Sequence, residues 1–212
     1  MPYTVVHNPF ATQFIRPGAI PFLPPASGVV ESIVSTFQKH HCVGQILGPH
    51  GSGKTSLTYA MESLLEPHFD HIRRLTIRSS RDVQIDHDRR TNGRRTNGRQ
   101  RPTKPLATSP LRRLLIVDGI EKLTRFHRWC FRRNLGSYDG LLLTTHVAIP
   151  GFSTIYRTVP TPQTLHQLVQ RLAPDHSFDA ETLNRVFHQH HGNLRESLFS
   201  LYDSFSSNLP RD

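Results

Sequence analysis

The chain has 212 residues, 36% of them hydrophobic, and 26 Lys and Arg against 16 Asp and Glu give it a net charge of +10. That length suits one ordinary core with at most a small appendage, and the apolar share is low for a chain packed throughout. Half the basic residues lie in 73–113 beside three acids, Asp82, Asp86 and Asp88, and the rest is electrically neutral, so the basic balance describes a segment and not a nucleic-acid binder as a whole.

The N-terminus has no basic stretch followed by an apolar one, so no signal peptide is expected. Residues 1–27 are rich in Pro and aromatics, which excludes a long helix and predicts an extended arm over the core. Val29, Val30, Ile33, Val34 and Phe37 then recur at helical spacing. Val43–Leu47 is a short apolar run, a buried strand by its length and context. Leu57, Ala60, Met61, Leu64 and Leu65 predict a helix that Pro67 stops. A second strand is expected at Ile72–Ile77.

Residues 79–110 carry a tandem Arg-Arg-Thr-Asn-Gly repeat at 89–93 and 94–98, then Pro102, Pro105 and Pro110. They hold too few apolar residues to pack a crossover helix, and the expectation is a disordered basic insertion. Leu114–Val117 is the third strand, continuous enough to be buried on both faces. A helix is predicted over 121–134, with Arg125, Arg128, Arg132 and Arg133 as a solvated face.

Leu141–Thr145 is the fourth strand, and Ser153–Val159 a fifth. The apolar stretch Gly140 to Pro150 is too short to span a bilayer, so no membrane contact is expected. Cys42 and Cys130 form no disulfide framework and lack metal-ligand spacing, which with the absence of a signal implies a cytoplasmic protein. Strands alternating with helices predict a layered α/β fold on a parallel sheet. From Thr161 only helical stripes follow: Leu165, Leu168, Val169 and Leu172; then Leu183, Val186 and Phe187; then Leu194, Leu198, Leu201 and Phe205. The organisation is thus an arm at 1–27, an α/β core at 28–160 and a helical unit at 161–207.

One motif carries specific chemistry. Gly48-Pro49-His50-Gly51-Ser52-Gly53-Lys54-Thr55 fits G-x-x-x-x-G-K-[ST], with a strand before it and a helix through Ser56 after it. Glycines let the backbone curl so that N–H groups point inward at phosphate oxygens, and the helix start adds its positive dipole end. Lys54 would reach the β- and γ-phosphates, and the Thr55 hydroxyl would ligate Mg²⁺. Asp118, ending the third strand, would hold Mg²⁺ through water beside Thr55. Glu121, three residues on, is the candidate to orient and deprotonate the attacking water.

The loop Gly48–Thr55, the strand Leu114–Asp118 and the polar tip Thr144-Thr145-His146 resemble the Walker A, Walker B and first-sensor elements of AAA+ and related ATPases. Gly192-Asn193-Leu194-Arg195-Glu196 is similar to the second-sensor motif of an AAA+ lid, and the order is kept over roughly residues 28–207. The resemblance implies a three-layer αβα P-loop core with a C-terminal helical lid and ATP at their junction. It further implies that Thr144 or Thr145 polarises the lytic water, with Thr145 the preferred candidate, that His146 senses the γ-phosphate, and that Arg195 reaches it from the lid. Two departures stand out. Gly119 occupies the place that often holds the base, as in the aspartate-small-x-acidic pattern of NACHT-type ATPases. Val147–Ser153 is too short for a helix presenting an arginine finger, and the nearest arginine is Arg157.

The function expected is Mg²⁺-dependent ATP hydrolysis driving a change between core and lid, coupled to a protein partner. A small-molecule P-loop kinase and a nucleic-acid-binding module are the alternatives. The last would act through nonspecific contacts of residues 79–110 with phosphates.

Overall fold

The computed structural model describes residues 8–16, 18–77, 112–123 and 138–207. The basic insertion at 79–110, and the helix expected over 121–134 beyond Leu123, lie outside them. Five strands form one parallel sheet: β1 (Val43–Leu47), β2 (His71–Thr76), β3 (Arg113–Asp118), β4 (Gly140–Thr145) and β5 (Thr154–Arg157), in the order β2-β3-β4-β1-β5. The α/β class with a parallel sheet is therefore the fold. Among the described residues no helix is long and apolar enough to cross a membrane.

Alternation along the central strands covers the sheet on both sides. Leu114, Ile116 and Leu142 face α2 (Val29–Lys39) and α3 (Lys54–Leu65), meeting Ile33, Phe37, Leu57 and Met61 in one buried cluster. Leu115, Val117, Leu141 and Leu143 point the other way, into a cluster with Ile77, Ile120, Leu123 and Ile149. Apolar side chains at both parities are why β3 and β4 read as unbroken apolar runs.

The connection from β4 to β5 contains no helix, and a buried glutamine explains how it is fixed. Gln45 of β1 is 1% exposed; its Oε1 accepts from the Ile149 N–H at 2.9 Å and its Nε2 donates to the Phe152 carbonyl at 2.9 Å. A buried amide needs such partners, and here the connector's own backbone supplies them.

Three further helices make a unit with its own core: α4 (Pro162–Leu172), α5 (Ala180–Gln189) and α6 (Leu194–Ser207). Thr161 caps α4 by accepting from the Thr164 N–H at 3.2 Å, with Pro162 in the first turn. Asp179 caps α5 through the Thr182 N–H at 2.7 Å, and the Thr182 hydrogen bonds hold its carboxyl below the usual range. Asn193 Oδ1 accepts from the Glu196 N–H at the start of α6.

The described part of the N-terminal arm carries a short helix, α1 (Thr12–Ile15), and its anchors enter the helical unit. Phe10, fully buried, makes edge contacts with Phe178 at 5.7 Å and Phe205 at 6.2 Å, and Ile15 joins the same cluster. Farther on, Phe22 meets Tyr156 of β5 edge-on. At Gly18, φ is +85° and an added Cβ would lie 2.7 Å from the Tyr59 ring of α3, so only glycine lets the chain pass there. Composition flagged the breakers; the destination of the aromatics depended on which apolar surface lay open.

Phe10→Ala is expected to destabilise the protein by roughly 3–5 kcal/mol, the usual loss for a large aromatic removed from a core. Denaturant unfolding measures it, and a loss below about 1 kcal/mol would show the arm to be dispensable packing.

Candidate functional site

Parallel pairing brings the C-terminal ends of β1, β3 and β4 to one edge of the sheet, where open α/β folds bind ligands. The chain leaves β1 through Gly48–Gly53 and enters α3 at Lys54. Gly51 (φ +66°) and Gly53 (φ +87°) take the left-handed conformation the curl requires. Gly51 also lies so close to the Asn193 side chain that a Cβ would collide with its oxygen, so the loop docks on the start of α6. Ser52 Oγ fixes the loop from within, bonding the Pro49 carbonyl at 2.8 Å and the Thr158 hydroxyl at 2.6 Å.

Lys54 is 7% exposed. Its Nζ donates to the Gly48 carbonyl at 2.7 Å and the Pro49 carbonyl at 2.6 Å, with His146 Nδ1 as a third partner at 3.2 Å. Burial pushes its pKa down to about 8, against the raising effect of Asp118 and Glu121. Next to it, Thr55 Oγ1 donates to Asp118 Oδ2 at 2.8 Å, while the Thr144 hydroxyl donates to Asp118 Oδ1 in a short hydrogen bond.

The two threonines of β4 therefore separate. Asp118 and Thr144 are register partners and share a face of the sheet. Thr145, fully buried, points the other way, with its hydroxyl on the Val147 carbonyl at 2.7 Å, and does not line the cavity. Of the two candidates for polarising a water, Thr144 thus lies on the Asp118 side of the sheet and orients its carboxylate, while Thr145 lies on the other.

Gly119 explains how Glu121 reaches the site. Its φ is +82°, and a Cβ would stand 2.8 Å from the Ile77 carbonyl. The left-handed residue turns the chain into a 3₁₀ turn at Ile120–Lys122, presenting Glu121 Oε1 to His146 Nε2 at 3.1 Å. The His146 ring lies against His50, centroids 3.4 Å apart. Burial and the nearby Lys54 charge lower the His146 pKa, opposed by Glu121 and the Gly48 carbonyl.

These groups border a cavity of about 500 Å³. The loop from His50 through Ser56 lines it with Asp118, Glu121 and His146, and Gly48 and Pro49 lie behind as the carbonyls that hold Lys54. Arg195 borders it from α6 with an exposed side chain. Sequence reasoning missed the apolar wall that the arm contributes through Ile20–Leu23, although its Pro and aromatic residues were the available signal. It also missed the contacts of His146 with Lys54, Gly48 and Glu121, which no local spacing encodes.

The donor set fits Mg²⁺ held chiefly by a ligand's own oxygens. Among the described residues no three His, Cys, Asp or Glu side chains converge as a metal site, and a hydroxyl beside one carboxylate is what Mg²⁺ uses when phosphates and water complete its shell. The sequence matches no model of a known protein family, and no curated protein matches it.

The depressed pKa of Lys54 has a sign. Between about 8 and its unfolded value near 10.4, the unfolded state binds more protons, so stability rises with pH across that window. Relative to Lys54→Met, which lacks the group, wild type should gain up to about 3 kcal/mol between about pH 7 and pH 10. Unfolding of both at the two pH values measures it, and a constant difference rejects the buried charge.

Proposed function

We propose that this chain binds ATP with Mg²⁺ at the Gly48–Thr55 loop, as a P-loop protein whose helical unit at 161–207 serves as a lid, and that it hydrolyses the nucleotide slowly. The carrying observation is the convergence of Lys54, Thr55, Asp118 and Glu121 on one cavity, at the C-terminal edge of a parallel sheet and the N-terminus of α3.

In this reading the loop N–H groups and the Lys54 ammonium hold the phosphate oxygens. Thr55 and Asp118 would hold Mg²⁺, which would supply positive charge against the negative charge developing on the phosphates. Thr144 keeps Asp118 aimed. Glu121 orients a water and takes its proton. Arg195 adds positive charge from the lid side, and the contact of Gly51 with Asn193 transmits the loop's state to α6. Ligand-dependent contacts of Lys54 and Arg195 would then set the angle between core and lid, the motion passed to a protein partner.

Lys54→Ala is expected to abolish ATP binding by calorimetry; undiminished affinity would sink the reading. Glu121→Gln should still bind ATP while turnover falls by about 10²–10⁴, the usual worth of a general base. Transfer of the γ-phosphate to a metabolite instead of water would favour the phosphotransferase alternative. Stimulation by DNA or RNA that is lost on deleting residues 79–110 would favour the nucleic-acid alternative.

A further inference from the structure

Three residues from separate parts of the chain meet behind the phosphate loop: Gly48 directly after β1, Ser52 within the loop, and Thr158 directly after β5. Gly48 is not among the left-handed glycines, so the curl of the loop is not what bars a side chain there. A Cβ on Gly48 would collide with the Thr158 hydroxyl and stand 2.9 Å from Ser52 Oγ. The position is glycine because Thr158 fills the space. Thr158 and Ser52 are 3% and 6% exposed, and hydroxyls shut away from water need partners.

The short distances fix where the two hydrogens go. Ser52 Oγ lies 2.8 Å from the Pro49 carbonyl, which accepts only, so Ser52 donates there. The 2.6 Å contact between the hydroxyls then runs from Thr158 to Ser52. The reverse order would leave Thr158 the Leu47 carbonyl, 3.5 Å away and a poor partner. Thr158 therefore sets Ser52, and Ser52 holds the Pro49 carbonyl, which also accepts from Lys54 at 2.6 Å. A phosphate that draws the ammonium toward itself leaves that carbonyl to Ser52. The bond from Thr158 then matters more in the occupied loop than in the empty one.

The far end of this chain of hydrogen bonds is the way into the helical unit. The Thr158 N–H donates to the Leu47 carbonyl at 2.8 Å, and only Val159 and Pro160 separate it from Thr161, the cap of α4. Pro160 and Pro162 fix φ along that stretch, so it transmits a displacement better than a flexible link would. Thr158 does not border the cavity and acts through Ser52, which does.

We infer that Thr158 is a positioning residue that pins the phosphate loop to the start of the link into α4, so that phosphate in the loop firms the link. This rests on the nucleotide reading above.

Calorimetry and denaturant unfolding of the full chain test it, with Mg²⁺ and a non-hydrolysable ATP analogue as the probe. Thr158→Val keeps the shape and removes the donor, and its Kd should rise by about threefold to tenfold, the usual worth of one hydrogen bond. Thr158→Ser should bind as wild type does. The double variant should bind no more weakly than Ser52→Ala alone, because Thr158 acts through that hydroxyl. A bond equally strong in the empty and the occupied loop shifts no binding. Lower stability of Thr158→Val with unchanged Kd therefore overturns the proposal, as do losses that multiply in the double variant. No binding by wild type overturns the nucleotide reading and the proposal together.

Amide hydrogen exchange followed by mass spectrometry reads the link itself. In wild type and Thr158→Ser the analogue should slow exchange both in the loop and over residues 159–165. In Thr158→Val at saturating analogue the loop should remain protected while the link loses most of that protection. Should that variant fail to fold, Ser52→Ala reads the same bond from the loop side. Link protection equal to wild type in the folded variant overturns the proposal.

Discussion

A buried ammonium needs acceptors on every hydrogen, and the arrangement around Lys54 follows from that need. The Gly48 and Pro49 carbonyls turn toward it because the loop curls, and the curl depends on left-handed glycines at 51 and 53. The third acceptor is His146, just past β4, and this ties the loop to the end of the neighbouring strand. Burial works against the charge, Asp118 and Glu121 support it, and the balance is a lysine that gives up its proton far more readily than one in water.

The sheet supplies rigidity to this arrangement. β3 and β4 lie between apolar layers on both sides, so Asp118 and Thr144 hold their relative position through the register. The helical unit is tied on differently. Its core closes around Phe10 and Ile15 from the N-terminal arm, and the same arm then runs past Tyr59 to Phe22 on β5. Any change in angle between the two bodies must therefore bend the arm as well as the link before α4.

Much of this was legible in the residues. Short apolar runs located the five described strands and the 3.6 period the stripes of α2 through α6, because burial on both faces leaves an unbroken run and burial on one face of a helix leaves a stripe. The Gly48–Thr55 loop was legible because its spacing is local: glycines, lysine and threonine act within one turn of backbone. Thr144 and Thr145 look alike in a string, and only register decides which one shares a face with Asp118. Glu121 stood out in the string as an acid three residues past Asp118, but the reason Gly119 precedes it lay in the Ile77 carbonyl, just past β2.

Sequence alone thus determined the α/β class and the order of the described elements, both of which depend on neighbours a few residues apart. Tertiary structure decided that His146 lies between Lys54 and Glu121, that Asn193 docks on Gly51, and that the arm enters the helical core. Those pairs are separated by tens to nearly two hundred residues, and their meeting depends on strand order and packing, which no local pattern of side chains records.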